Sequence, residues 1–149
     1  MKTFVKTLGA AALLTGLATS GATAADADLV KGFWLTGDKG QVVEIKACDE
    51  GSSRLCGDVV WSPAGTPDET LVLLGLKPSR ANLSKGHFWN KGKVIDLESG
   101  KKRGGSIELL EDGTLKVASC KRNLCNNQVW ERPSAEMAEL PEHIRLASR

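Results

Sequence analysis

Short runs in which apolar and polar residues alternate, separated by glycine-containing turns, are the feature that most constrains the fold of this chain. A period of two is typical of β-strands that bury one face, and helical spacing is nearly absent beyond residue 24. The clearest turn is Asp112-Gly113, between the apolar runs at 107–110 and 115–117, because Asp-Gly strongly favours a β-hairpin. The sequence therefore predicts an all-β domain.

Nine candidate segments follow from this pattern, and about eight to nine strands are needed to close a small antiparallel β-barrel. We place them at residues 32–35, 41–47, 55–61, 71–76, 87–89, 93–97, 105–110, 114–119 and 128–131. Further turns are expected at 37–40 and 99–100, and longer loops at 62–70 and 77–86.

The C-terminal residues predict a short helix or a flexible tail. Ser134 is a suitable N-cap for a helix at residues 134–140, and Pro141 would end it. We therefore divide the mature chain into a β-barrel domain at residues 25–133 and a tail at 134–149.

The N-terminus has the three parts of a secretory signal. Lys2 and Lys6 precede an apolar stretch at residues 8–17, and residues 22–24 match an Ala-x-Ala cleavage site. The apolar stretch is shorter than the roughly 20 residues that cross a bilayer, and no cysteine follows the cleavage site to carry a lipid. We predict cleavage after Ala24 and a periplasmic or secreted protein of a Gram-negative envelope, without a membrane span.

The charge balance argues against nucleic acid as a partner. The formal charge of +2 comes from the signal, because removal of Lys2 and Lys6 leaves as many basic as acidic residues, 18 of each. Binding to phosphates needs a basic surface, which a neutral chain lacks. The basic clusters at 101–103 and 121–122 are interpreted as solvated turns. We expect a monomer, with a small ligand or an envelope protein as its partner.

Four cysteines in a secreted chain indicate two disulfides. They allow three connectivities, among which the sequence alone does not choose. Pairing of Cys48 with Cys56 and of Cys120 with Cys125 is favoured, since each pair flanks a candidate turn. A four-thiolate zinc site is the alternative, but the seven residues between Cys48 and Cys56 exceed the usual two to four, and no metal is expected. Redox chemistry is disfavoured because the chain has no Cys-x-x-Cys pair.

Several short runs carry a family resemblance, in the right order and over nearly the whole mature chain. They are Gly-Phe-Trp-Leu at 32–35, Val-Val-Glu-Ile at 42–45, Cys-Gly-Asp-Val-Val-Trp at 56–61, Leu-Leu-Gly-Leu at 73–76, the run at 88–96, Ser-Gly-Lys at 99–101 and Val-Trp-Glu-Arg at 129–132. These runs resemble domain-of-unknown-function family 2147, whose members are small secreted bacterial proteins. The resemblance implies a lipocalin-like, or calycin-like, antiparallel barrel and no settled activity.

The chain departs from the family pattern in places. Leu97 and Arg103 stand where the family often has a proline and a tyrosine, and the chain contains no tyrosine at all. The pair Cys120 and Cys125 is also an addition to the common pattern. No functional residue is therefore carried over from the family.

Gly32-Phe33-Trp34 is similar to the Gly-x-Trp motif that opens the first strand of lipocalins. There the tryptophan closes one end of the barrel and an arginine of the last strand packs across its ring, for which Arg132 is the candidate here. Indole covered by guanidinium combines apolar area with a cation over a π-face, and Gly32 would permit the close approach. We predict a structural role for Gly32, Trp34 and Arg132.

A small barrel is either packed solid or hollow enough for one ligand, and these residues allow both. If it is hollow, the mouth opposite Trp34 offers a mainly apolar pocket. We expect non-enzymatic binding of a small apolar or amphipathic envelope molecule there, with these candidate lining residues: Trp61, Leu73, Trp89 and Ile95. The alternative is a packed barrel that acts as a protein-interaction module, an inhibitor or an envelope-assembly factor, through the loops around Pro63 and Ser84 or the basic turns.

Catalytic motifs are missing from the sequence. His87 and His143 are the only histidines, no Gly-x-Ser-x-Gly elbow accompanies them, and there is no phosphate-binding loop. His87 and Asp96 are the first residues to inspect for acid–base chemistry. We predict that the protein is not an enzyme, and that it has neither catalytic residues nor a cofactor.

Overall fold

The computed structural model describes residues 27–38, 40–65, 70–79, 87–96 and 99–147. The predicted signal at residues 1–24, its cleavage after Ala24 and parts of both long loops, including Ser84, lie outside the described residues. No helix in the ranges given above is long and apolar enough to cross a membrane.

Eight antiparallel strands form one sheet in which each strand pairs with the next along the chain. They are β1 (Gly32–Leu35), β2 (Val42–Ala47), β3 (Leu55–Trp61), β4 (Thr70–Pro78), β5 (His87–Ile95), β6 (Lys102–Leu109), β7 (Leu115–Lys121) and β8 (Leu124–Trp130). Residues 27–30 form a helical turn just before β1. The prediction of an all-β antiparallel fold is confirmed.

The sheet curls until its two edge strands meet. Leu35 of β1 and Glu131, just after β8, exchange two backbone hydrogen bonds of 2.7 and 3.1 Å. Elsewhere in the sheet, Gly92 of β5 lies opposite Gly105 of β6. A Cβ on Gly105 would lie 2.1 Å from Val94 Cγ2. A glycine is therefore needed where β5 and β6 curve this sharply.

Two of the nine candidate segments, at 87–89 and 93–97, fall on the single strand β5, so the described residues form eight strands and not nine. Lys91 adopts a φ of 56°, and the register to β6 shifts between Trp89 and Gly92. This irregularity is a β-bulge, which absorbs the residues that separate the two segments and lets the strand continue.

Strand β8 begins at Leu124, four residues before the segment predicted at 128–131. Arg122 adopts a φ of 55°, so that a tight turn reverses the chain directly after β7. The hairpin of β7 and β8 then pairs without any register shift. Periodicity missed the first half of β8 because Asn126 and Asn127 are poor strand formers.

The apolar core lies inside the curl, and all eight strands contribute to it. Its strand residues are Trp34, Val43, Ile45, Leu55, Val59, Val72, Leu73, Leu76, Trp89, Val94, Ile107, Leu115, Val117 and Trp130. Leu35 faces the opposite side of β1 from Trp34, in a second cluster with Val42 and the C-terminal residues Leu140 and Ile144. The outer face of the first strands is therefore covered by the end of the chain.

The C-terminal helix covers Glu142–Ala147 and follows Pro141, whereas the sequence predicted a helix that ends before this proline. The Pro141 carbonyl accepts a helical hydrogen bond of 3.2 Å from Arg145 N–H. A missing N–H costs nothing at this end of a helix, which is why proline fits there. Ser134 caps only a turn, in which its hydroxyl accepts a bond of 3.2 Å from Glu136 N–H.

Candidate functional site

A cavity of about 150 Å³ lies on the inner side of the sheet, between β8 and the loop that joins β1 to β2. Its lining divides evenly between apolar and polar side chains. The apolar residues are Val72, Val94, Ile95, Val117 and Trp130, and the polar residues are Asp38, Asp96, Ser119, Asn126 and Gln128. A mainly apolar pocket was expected from the sequence, and the structure has a half-polar one.

The apolar residues form the floor of the cavity. Val72, Val94, Val117 and Trp130 all belong to the buried core, and Trp130 is only 3% exposed. The floor of the cavity is therefore part of the packed core.

Asp38 supplies a negative charge at the cavity. Its Oδ1 accepts hydrogen bonds from the Thr36 hydroxyl and from Gly40 N–H, the latter at 3.0 Å. These two bonds, and that from Thr36 above all, hold the pKa of the Asp38 carboxyl below its ordinary value of 3.8. This ionised carboxylate lines the cavity, where it can accept a hydrogen bond from a ligand.

Asp96 supplies a second carboxyl group, directly after β5. Its Oδ1 accepts hydrogen bonds from Ser99 N–H at 2.8 Å and from the Ser99 hydroxyl at 2.9 Å. Gly100 completes this turn with a φ of 64°, a conformation that glycine adopts without strain. The turn between β5 and β6 thus holds Asp96 at the cavity.

Asn126 and Gln128 line the cavity from β8, where they lie opposite Ser119 and Val117 of β7. Gln128 Oε1 accepts a hydrogen bond of 3.0 Å from Trp130 Nε1. This bond orients the Gln128 amide and leaves its NH₂ group able to donate to a ligand. Residues 124–129 are all exposed, so the cavity is open to solvent along this strand.

The predicted structural trio lies together at the other end of β1 and β8. Trp34 is fully buried and its Nε1 donates a bond of 2.7 Å to the Val30 carbonyl. Arg132 lies over the Trp34 ring, and its partial burial lowers the pKa of the guanidinium, which stays protonated at any physiological pH. Gly32 adopts a φ of 104°, and a Cβ there would lie 3.1 Å from Arg132 Nη1.

The four candidate lining residues are dispersed. Ile95 lines the cavity, whereas Leu73 and Trp89 are buried in the core. Trp61 packs against the second cluster, on the outer face of the sheet. Trp89 Nε1 has no hydrogen-bond partner among the described residues. Binding by these four residues stays a prediction, and the geometry gives only Ile95 a place at the cavity.

Apart from Asp96, which was singled out for acid–base chemistry, the polar lining residues were missed by sequence reasoning, although two signals point to them. Asp38 lies two residues after Thr36 and two before Gly40, which is the spacing of a side chain that caps its own turn. If Cys120 and Cys125 face each other across a hairpin, strict alternation places Asn126 and Gln128 on the face of Trp130. The second signal depends on knowing the disulfide pairing, which the sequence left open.

Both disulfides join neighbours along the chain. Cys48 is bonded to Cys56 across the turn between β2 and β3, and Cys120 to Cys125 across the hairpin of β7 and β8. The Cα atoms are 4.8 and 4.0 Å apart, respectively. The pairing favoured by the sequence is the one present, and two disulfides fit a protein of an oxidising compartment.

The two residues singled out for acid–base chemistry do not meet. His87 opens β5 and Asp96 follows its last residue, so they are separated by the length of a nine-residue strand, roughly 25 to 30 Å. Among the described residues no three His, Cys, Asp or Glu side chains are grouped so that they could hold a metal ion. The polar lining of the cavity offers hydrogen-bond acceptors and donors.

Comparison with known proteins agrees with this geometry. A family model described as "Uncharacterized protein conserved in bacteria (DUF2147)" matches residues 32–132. No curated protein matches the sequence. A solved structure of protein HP1028 from Helicobacter pylori, described as belonging to the lipocalin family, superimposes with a TM-score of 0.53. It is 14% identical, over 79% of this chain and 96% of that one. The likeness shows the fold alone, and it confirms the prediction of a lipocalin-like sheet.

Proposed function

This chain belongs to the DUF2147 family of bacterial proteins, and we propose that it is a non-enzymatic binding protein whose cavity holds a small amphipathic molecule. The observation that carries the proposal is the divided lining of the cavity, with a buried apolar floor and two carboxyl groups at its edge. Such a lining suits a ligand with a short apolar part and a hydrogen-bond-donating polar group.

The size of the cavity limits what it can hold. A volume of about 150 Å³ is that of cavities which bind benzene, and it is below the roughly 300 to 1,000 Å³ of pockets that bury drug-sized ligands. The ligand, or the part of it that enters, therefore has about six non-hydrogen atoms. A long lipid chain is too large for this site.

The charge at the cavity favours a protonated amine. Asp38 is ionised at any pH above its lowered pKa, and charge-assisted hydrogen bonds to a carboxylate are roughly twice as strong as neutral ones. Two basic residues belong to the face of the sheet that lines the cavity. Arg103 of β6 lies opposite Val94, and Lys121 of β7 is two residues after Ser119. An anionic ligand is thus the competing possibility, which the experiment below includes.

The proposed setting is the periplasm or the extracellular space. Two disulfides and a sequence with the parts of a secretory signal support it. Binding without chemistry is supported by the separation of His87 from Asp96 along β5. The ligand would then be a small molecule of the cell envelope.

Three probes of equal length test the proposal: n-butylamine, n-butanol and butyrate. We expect the amine to shift the backbone NMR signals of Ser119, Asn126 and Gln128 in the oxidised protein, with an affinity at least about tenfold above that of the alcohol. Asp38→Asn should remove this preference. Asp112→Asn is the matched control, because Asp112 also accepts one threonine hydroxyl and one backbone N–H, both from Thr114 in the turn between β6 and β7, and does not line the cavity. Tighter binding of butyrate, or no binding of any probe, would contradict the proposal.

A second candidate function, protein interaction, is favoured by one observation. Pro63 is exposed, whereas part of its loop and Ser84 lie outside the described residues. The exposed strand β8 is the stronger reason, since every residue from 124 to 129 is accessible. An open strand edge is a common place for a protein partner to pair.

A further inference from the structure

We propose that β8 is a docking edge for an extended peptide, and that this peptide delivers a basic side chain into the cavity. The inference that this side chain is basic rests on the proposed function, in which the cavity prefers an amine. The inference that the peptide pairs with β8 rests on separate observations. An alkyl ammonium side chain is itself a small amphipathic amine, so the two proposals share one cavity.

The first observation is the direction of the backbone groups of β8. Glu131 directs both its N–H and its carbonyl at Leu35 of β1. Along an antiparallel strand the direction of these groups alternates, so those of Cys125, Asn127 and Val129 point to the same side. The hairpin has no register shift that would break the alternation.

The disulfide of this hairpin supports the same assignment independently. Residues that face each other without exchanging hydrogen bonds are about 4.5 Å apart between Cα atoms, whereas hydrogen-bonded pairs are about 5.5 Å apart. The Cα atoms of Cys120 and Cys125 are 4.0 Å apart. The backbone of Cys125 therefore exchanges no hydrogen bond with β7, and its N–H and carbonyl point away from that strand.

The open part of this edge is short and well defined. A Cβ on Gly37 would lie 2.9 Å from the Val129 carbonyl oxygen, so the loop after β1 covers the edge at Val129. In the described part of the chain no backbone bond reaches Cys125 or Asn127 from that side. Together they present two N–H and two C=O groups, which is enough to pair with a strand of about five residues.

The second observation is what lies beside this edge. Residues on an added strand that face Asn126 and Gln128 would have Cβ atoms about 4.5 to 5.5 Å from theirs, on the inner side of the sheet. Those two side chains line the cavity. One residue of the peptide is thus placed at the mouth of the cavity, close to the loop that carries Asp38.

The size and charge of the cavity identify that residue. A volume of about 150 Å³ accepts one long side chain and little more. The ionised Asp38 carboxylate favours a lysine or an arginine there. Peptides that add a strand take their affinity from the main chain and their specificity from such pockets for alternate side chains.

A second copy of this chain fits the edge less well. Two β8 strands paired about a two-fold axis would turn only Leu124, Asn126 and Gln128 of the copy to the inner side, so no cation would reach Asp38 from that strand. A contact of about five residues also buries less than the roughly 1,200 Å² of a stable interface. The hairpin is already fixed by a disulfide and a tight turn, so a peptide orders little of this protein when it binds.

The peptide acetyl-Thr-Val-Lys-Val-Thr-amide tests the proposal, with n-butylamine as the side chain alone. In an antiparallel pairing the lysine faces the cavity and both valines bond to β8. We expect the peptide to bind at least about tenfold more tightly than n-butylamine in calorimetry. A peptide that carries N-methyl groups on both valines should lose this advantage, and one with norleucine in place of lysine should bind more weakly than the parent.

A pair of variants tests the edge from the side of the protein. Asn127→Pro removes an N–H of the open edge and Asn127→Ala keeps it, and Asn127 does not line the cavity. We expect the proline variant to weaken the peptide at least about fivefold while n-butylamine binds as before, and the alanine variant to change neither. If Asn127→Pro does not fold, the N-methylated peptide tests the same hydrogen bonds in the unmodified protein.

The outcomes separate the two proposals. If n-butylamine binds and the parent and N-methylated peptides bind equally well, the docking edge is wrong and the small-molecule site stands. If the parent peptide binds through the edge and n-butylamine does not bind at all, the site needs a peptide and the small-molecule proposal is wrong. Concentration-dependent dimers in sedimentation that Asn127→Pro abolishes would assign the edge to a second copy and overturn the peptide.

Discussion

The guanidinium carbon of Arg132 lies 3.8 Å from the centroid of the Trp34 ring, and the same group donates to the carbonyls of Leu29, Lys31 and Phe33. One side chain after the last strand thereby covers the indole and satisfies the backbone at the start of the first strand. The five N–H donors of a planar guanidinium make this possible, whereas a lysine ammonium has no equivalent geometry.

We expect Arg132→Lys to lower the free energy of unfolding by about 1 to 2 kcal/mol, because the charge remains while the stacking and part of the carbonyl bonding are lost. Arg122→Lys, on the exposed turn between β7 and β8, is the matched control and should cost less than about 0.5 kcal/mol. Urea unfolding followed by tryptophan fluorescence measures both. Equal effects of the two substitutions would show that Arg132 has no structural role.

Neighbouring glycines of β6 give a second test of the packing. A Cβ on Gly105 would lie 2.1 Å from Val94 Cγ2, whereas the nearest atom to a Cβ on Gly104 is the Cys120 carbonyl oxygen at 3.7 Å. We expect Gly105→Ala to destabilise by about 1 to 3 kcal/mol, as overpacking does, and Gly104→Ala to change stability far less. Because Val94 lines the cavity, Gly105→Ala should also weaken n-butylamine binding, as NMR titration would show. Equal stabilities of the two variants would contradict this account.

Much of the fold could be predicted because its determinants are local. Asp112 accepts bonds of 2.9 and 2.6 Å from the N–H and hydroxyl of Thr114, and Gly113 adopts a φ of 82°, so the Asp-Gly turn forms from its own residues. Bulges are harder to predict. Lys91 adopts a positive φ that no local residue preference indicates, and pairing with both neighbouring strands is what keeps β5 continuous there.

The candidate site could be predicted only in part, since a cavity depends on how distant strands face one another. Ile95 was expected at the cavity and lines it, while Leu73 alternates into the core and Trp61 into the outer cluster. Trp89 was also a candidate lining residue, but it lies in the core, as large aromatic side chains often do. The polar wall arises from Asn126 and Gln128, on a strand whose first half has weak β propensity.

The hairpin of β7 and β8 predicts an alternating pattern of hydrogen exchange. The amides of Asn126 and Gln128 bond to β7 and should exchange slowly, whereas those of Cys125 and Asn127 face the open edge and should exchange quickly. Removal of the disulfide by Cys120→Ser with Cys125→Ser should cost about 2 kcal/mol and speed exchange at Asn126 and Gln128. Native-state exchange followed by NMR measures both effects.

Removal of the other disulfide is the comparison for this pattern. Cys48→Ser with Cys56→Ser should cost a similar amount, on the order of 2 kcal/mol, because its closed loop is also short. This second pair of substitutions should leave the amides of Asn126 and Gln128 protected from exchange, as they are in the unmodified protein. Uniform exchange along β8 in the unmodified protein would contradict the assignment of its open edge.

The Asp38 carboxylate predicts how stability depends on pH. Its pKa in the folded protein is lowered from 3.8, chiefly by the Thr36 hydroxyl and then by Gly40 N–H. A lowered folded pKa contributes stability that is complete above the unfolded value and is lost as pH falls through the folded value. The free energy of unfolding should therefore decline below about pH 4, and less steeply in Asp38→Asn, which has no charge to lose. Urea unfolding at several pH values between 6 and 2 measures this slope.

Two substitutions of Thr36 separate its hydroxyl from its packing, since Thr36 is itself buried. Thr36→Val removes the donor to Asp38 and should raise the carboxyl pKa towards its ordinary value, whereas Thr36→Ser keeps the donor and should leave it low. Carboxyl carbon NMR titration reads this pKa directly. Because binding of n-butylamine needs the ionised carboxylate, its loss on acidification should occur at higher pH in Thr36→Val than in Thr36→Ser. An amine affinity that falls at the same pH in both variants would show that Asp38 is not the group that holds the amine.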